Sequence, residues 1–145
     1  MTIYLASDHA GFELKEDIKK FLADSGYEVK DFGAYALDPE DDYPDLIRKA
    51  AEAVANDPEG SRAIVFGGSG EGEAMVANRV KGVRAAVIYK FDKEIIKLSR
   101  EHNNANVLSI GARFVSERQA KKAIKLWLKT PFSGDVRHKR RIDKF

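Results

Sequence analysis

Five short apolar runs punctuate this chain, and the stretches between them carry apolar residues at helical spacing. The runs are Ile3 to Ala6 (IYLA), Tyr27 to Phe32 (YEVKDF), Ala63 to Phe66 (AIVF), Arg84 to Tyr89 (RAAVIY) and Asn106 to Gly111 (NVLSIG). IYLA and AIVF are almost continuously apolar, which is the pattern of strands covered on both faces. One intervening stripe is Phe12, Leu14, Ile18, Phe21 and Leu22, closed by Gly26. A second is Leu46, Ile47, Ala50, Ala51 and Val54, with Pro44 in its first turn. A later one is Ala120, Ala123, Ile124, Trp127 and Leu128, opened by Ser116 and stopped before Pro131. Strands alternating with helices imply an α/β fold with a parallel sheet and helices on both faces. Five strands in one doubly wound layer, with a C-terminal helix, fit a single domain over residues 1–145.

Composition narrows the chemistry. There is no cysteine, which removes disulfides, thiolate metal sites and a cysteine nucleophile. The three histidines lie far apart without a ligand pattern, so neither a metal nor another cofactor is expected. The opening MTIYLASDHAG has no basic segment followed by a long apolar run, and nothing approaches a membrane span. The expectation is a cytoplasmic protein with no membrane partner. A formal net charge of +2 is too small to argue for nucleic acid.

In an open parallel sheet, ligands bind beyond the carboxyl ends of the strands, where strand order reverses. Two loops are candidates there: Ser7 to Gly11 after the first strand, with Asp8 and His9, and Gly67 to Glu73 (GGSGEGE) after the third. If those strands are neighbours, the loops face each other. Gly67 and Gly72 have P-loop spacing, yet Glu73 and Ala74 occupy the places of its lysine and hydroxyl residue. A carboxylate at the lysine position would repel a triphosphate. The dinucleotide pattern fails as well, because Glu73 follows Gly68 and Gly70 where a third glycine belongs. A nucleotide-binding regulatory module, the reading from a different functional class, is therefore disfavoured. What survives is a nest of backbone N–H groups at a helix N-terminus, with the Ser69 hydroxyl as an added donor. Glu73, in the first turn of the following helix, is placed to stay ionised as a general base, and Glu71 competes for that role.

His102 ends a helix whose inward stripe reads Ile95, Leu98, Ser99 and His102. That position predicts a protonated, hydrogen-bonded imidazole, serving either structure or chemistry. Asn103 and Asn104 read as cap and turn residues. In the tail RHKRRID, Arg137 and Arg141 share a helix face with Arg140 beside them. Paired guanidinium groups suit a phosphate dianion; the plainer reading is a solvated basic helix.

Taken together, these segments resemble the ribose-5-phosphate isomerase type B family, which also contains allose- and galactose-6-phosphate isomerases. The likeness is carried by SDHAGFELK (Ser7 to Lys15), DYPD (Asp42 to Asp45), GGSGEGE followed by ANR (Ala77 to Arg79) and GVRAA (Gly82 to Ala86). It continues through REHNNANVLSIGAR (Arg100 to Arg113) and RHKRRID (Arg137 to Asp143). The resemblance implies a Rossmann-like subunit, a metal-free aldose–ketose isomerisation through an enediol(ate), and a homodimer, with tetramers left open. By position, His102 looks like the ring-opening group, and Asp8, His9 and Asn103 like sugar contacts. Arg137 and Arg141 look like phosphate ligands, and Arg113 like a further substrate contact. Ser69 and the loop of Gly67, Gly68, Gly70, Glu71 and Gly72 resemble the anion hole. Many members carry a cysteine base where this chain has Gly67. This sequence is similar to the branch with a glutamate at Glu73, which moves the base there and favours ribose 5-phosphate over the six-carbon substrates. If His102 and Glu73 serve one substrate, topology requires a partner chain, because His102 ends a returning helix on the far side of the sheet.

Overall fold

Every one of the five apolar runs becomes a strand in the computed structural model, which describes residues 1–145. The elements are β1 (Thr2–Ser7), α1 (Phe12–Asp24), β2 (Glu28–Asp31), α2 (Tyr43–Asn56), β3 (Ser61–Gly67) and α3 (Glu71–Ala77). They continue with β4 (Ala85–Ile88), α4 (Lys93–Glu101), β5 (Val107–Gly111), α5 (Glu117–Lys129) and α6 (Val136–Ile142). Pro44 lies in the first turn of α2, and Ser116 opens α5 with a reciprocal capping box to Gln119. Gly26 follows α1 with φ 84°.

All four strand pairings are parallel, in the order β2-β1-β3-β5-β4. The result is a Rossmann-like α/β sheet whose order reverses between β1 and β3. Period-two alternation along the strands sorts side chains by size. Ile3, Leu5, Ile64, Phe66, Leu108 and Ile110 pack with Ile18, Ile96, Ile124 and Trp127, so α1, α4 and α5 cover that face. Ala6, Ala63, Val65 and Val107 pack with Ile47, Ala51, Val54 and Ala77, so the smaller residues lie under α2 and α3. All of these strand residues are fully buried, which accounts for their continuous apolar runs.

Two expectations about the elements change. Helix α3 starts at Glu71, inside the glycine loop, because Gly70 at φ 83° turns the chain directly into it. The inward face of α4 is Ile96 and Arg100, and Ile95 is 54% exposed. A buried arginine broke the apolar stripe and shifted the reading by one position. β5 inserts between β3 and β4, and its burial at every position matches that central place.

Candidate active site

The register of β1, β3 and β5 brings three loops to one level. Ser7 pairs with Phe66, and Gly67 with Gly111, so Asp8, Gly68 and Ala112 leave the sheet side by side. Asp8 is buried, and its Oδ1 accepts from the Gly11 N–H at 3.0 Å. His9 Nδ1 shares a 2.7 Å hydrogen bond with Asp41 Oδ1, from the loop before α2. That bond raises the His9 pKa above its usual value, while burial works against it; the Asp8 charge adds to the rise and Arg113 opposes it.

Glu73 is only 4% exposed. Its carboxyl group occupies the space a side chain at Gly67 would fill, since a Cβ there would lie 2.0 Å from Glu73 Cδ. Burial raises its pKa above the usual carboxylate range; its own backbone N–H opposes this and the Asp8 charge adds to it. The helix dipole was expected to keep this group ionised. A first-turn carboxylate gains typically about 0.3–1 kcal/mol from the dipole, and here desolvation outweighs it. Glu71 faces solvent. Ser69 is exposed, and its Oγ accepts from the Glu71 N–H at 3.3 Å. The N–H groups of Gly68, Ser69, Gly70 and Gly72 donate to no other backbone group and so stay open for an anion. Gly70 is fixed twice, by its left-handed φ and by Ser109 Oγ, which donates to its carbonyl at 2.6 Å. The Tyr43 hydroxyl lies against Gly72, and the Arg113 guanidinium lies beside Gly68.

His102, Asn103, Arg137 and Arg141 form a second cluster. His102 caps α4 five residues before β5 begins, so it lies toward the amino end of the sheet. Gly67, at the carboxyl end, is four strand positions from Ala63, which pairs with Val107. At about 3.3 Å per residue, the strand span alone is on the order of 13 Å. One chain does not bring His102 to Glu73. Arg137 and Arg141 share a face of α6 as expected, both exposed and neither in an ion pair.

The expected hydrogen bond to the His102 imidazole is absent. Its ring stacks on His138, with centroids 4.1 Å apart and planes at 21°. His138 is buried, and desolvation lowers its pKa, with the charges of His102, Arg137 and Arg141 acting the same way and Asp135 opposing. Sequence reasoning missed His138 because it reads as one more member of a basic run. It also assigned no role to Asp41 or Tyr43, whose positions depend on how the loop after β2 folds back. No group of three or more His, Asp or Glu side chains is placed to hold a metal ion.

The ribose/galactose isomerase family model matches residues 3–145. The chain belongs to that family. Among its relatives, ribose-5-phosphate isomerase B of Mycolicibacterium paratuberculosis is 45% identical over 143 residues, covering 99% of this chain and 88% of the relative. The crystal structure of ribose-5-phosphate isomerase B from Mycoplasma genitalium with bound ribulose-5-phosphate superposes with a TM-score of 0.93 at 40% identity, covering 99% of this chain and 92% of that one. The Clostridium thermocellum ribose-5-phosphate isomerase B structure gives a TM-score of 0.92 at 43% identity, over 99% and 94% of the two chains. Against this ribose/galactose isomerase background, a nucleotide-binding module finds no support. No helix of the chain is long and apolar enough to cross a membrane.

Proposed function

We propose that this protein interconverts ribose 5-phosphate and ribulose 5-phosphate in the sugar metabolism of the cytoplasm, a reading supported by relatives named ribose-5-phosphate isomerase B. The observation that carries the reading is the buried Glu73 carboxyl held on Gly67 beside a loop of unengaged N–H groups. In this reading His102 opens the furanose ring, and Glu73 takes the proton from C2 of the open aldose. Charge then moves onto O1, where the loop amides and Ser69 stabilise it. The same carboxyl returns the proton to C1, and the hydroxyl proton of O2 passes to O1. Asp8, His9 and Asn103 hold the sugar hydroxyls, Arg137 and Arg141 hold the phosphate, and Arg113 makes a further contact to the substrate.

Because the two clusters lie toward opposite ends of one sheet, a complete site combines the carboxyl-end cluster of one subunit with the amino-end cluster of a second copy. Mixing inactive Glu73→Gln and His102→Ala chains tests this. Heterodimers should regain one intact site and measurable turnover; heterodimers shown to form yet inactive would sink the shared site. For the substrate, the specificity constant on ribose 5-phosphate should exceed that on allose 6-phosphate, and the reverse order would move the protein to the six-carbon branch.

A further inference from the structure

At the amino end of the sheet, a cavity of about 720 Å³ lies beside the second cluster, yet neither Arg137 nor Arg141 lines it. Three guanidinium groups from distant parts of the chain meet there: Arg62 on β3, Arg84 before β4 and Arg100 on α4. Each is oriented by neutral acceptors. Arg62 Nη1 donates to the Pro58 carbonyl at 2.8 Å and to that of Ser61. Arg84 donates from Nε to the Asn104 carbonyl at 2.9 Å and from Nη1 to the Gly82 carbonyl at 3.0 Å. Arg100 donates from Nε to the Thr130 carbonyl at 3.1 Å, and from Nη1 to Asn104 Oδ1 at 2.9 Å and the Ala105 carbonyl.

Neutral partners fix these groups without neutralising them. No carboxylate forms an ion pair with any of the three, although Glu59 and Asp143 also line the cavity. Lys129 and Lys139 line it too, so five cations face two carboxylates. Burial, with the charges of Arg62 and Arg84 acting the same way and Glu59 opposing, pushes the Arg100 pKa down to about 10. Each guanidinium leaves its Nη2 without an acceptor, and none of these atoms is sealed from the cavity or solvent. Three oriented, uncompensated forks around one hollow are what an oxyanion with several oxygens requires. A single carboxylate would leave most of that charge unmet.

We propose that this cavity is a second anion site, separate from the substrate's phosphate ligands, that takes a multivalent phosphate anion, with inorganic diphosphate as its simplest probe. The test is calorimetric titration of the full chain with diphosphate at low ionic strength, in an Arg137→Ala/Arg141→Ala background. That background removes the phosphate ligands of the reaction proposed above. Binding should persist there and weaken at least tenfold on Arg62→Gln or Arg84→Gln. Absence of binding in that background, or affinity within twofold after both substitutions, would overturn the proposal. A substitution that loosens the fold would weaken binding trivially, so the background protein itself is also titrated and followed by amide NMR. The Asn104 and Thr130 resonances should move with diphosphate while those of Gly68 and Glu73 stay fixed. Movement confined to the Gly68 to Glu73 loop would place the anion elsewhere and refute the site.

Discussion

The two clusters of family residues are held in opposite ways. Around Gly67 to Glu73 the chain partners itself: Asp8 with Gly11, His9 with Asp41, Ser109 with Gly70, and the Glu73 carboxyl against Gly67. Around His102, Asn103 is exposed, Arg137 and Arg141 extend unpaired, and the one close ring contact is a second imidazole. Proton transfer between adjacent carbons tolerates only tenths of an ångström of misplacement, so its groups need a rigid scaffold. Gripping a phosphate by charge tolerates more movement. The contrast teaches that the fold itself finishes the carboxyl-end cluster, whereas the amino-end cluster keeps its charged side chains unpaired and exposed.

The largest effect that would sharpen this contrast is expected at the rigid end. Glu73→Gln should lower kcat by about 10²–10⁴-fold with KM little changed, the usual worth of a general base. Glu71→Gln should do far less, since Glu71 faces solvent. If steady-state kinetics reversed the two, the base assignment would fail. Next, Gly67→Ala should cost roughly a hundredfold in kcat, because its Cβ would lie 2.0 Å from Glu73 Cδ and displace the carboxyl. Unimpaired turnover in a correctly folded Gly67→Ala protein would show that the Gly67–Glu73 packing is incidental.

At the open end, Arg137→Ala or Arg141→Ala should raise KM about tenfold, from a lost charge-assisted bond of roughly 1.5–3 kcal/mol, with thermal stability nearly unchanged. Intact kinetics would leave these arginines as a solvated face. Smaller still are two effects of pH. The raised Glu73 pKa means the folded chain keeps that proton longer than the unfolded one. Stability is therefore lost as pH rises from the ordinary value of 4.5 through the raised one. Glu73→Gln escapes this loss, so its melting temperature at neutral pH should exceed that of the parent; a lower one would contradict the burial argument. His9 follows the same direction with pH, but there the charged form is favoured by its pair with Asp41. Its raised pKa gives a contribution fully present below the unfolded value of 6.5 and lost as pH rises through the folded one. Asp41→Asn should lower the His9 pKa in an NMR titration, and an unmoved value would remove Asp41 from the site.

What could be read in advance follows the range of each interaction. Strand cores such as IYLA and AIVF, the Ser116 cap and the Pro44 start depend on neighbours within one turn or one strand, and all appear where their patterns stand. The Gly67 to Glu73 loop was legible because four glycines in six residues have few other uses. The α4 face was misread because Arg100 is buried by acceptors from Thr130 and Ala105, which no periodicity reveals.

The amino-acid sequence by itself determined the alternating elements, the two loops at the switch point, the residues of the family pattern and the absence of any thiol chemistry. Those properties reside in residue type and local spacing. Tertiary structure alone decided that β5 lies beside β3, that Glu73 sits on Gly67 while Glu71 faces water, and that Asp41 reaches His9 across the chain. It also decided that His102 stacks on His138 and that Arg62, Arg84 and Arg100 surround one cavity. Each of these joins groups far apart in the chain, and their protonation and charge balance depend on burial, which exists only once the sheet and its two helical layers have packed.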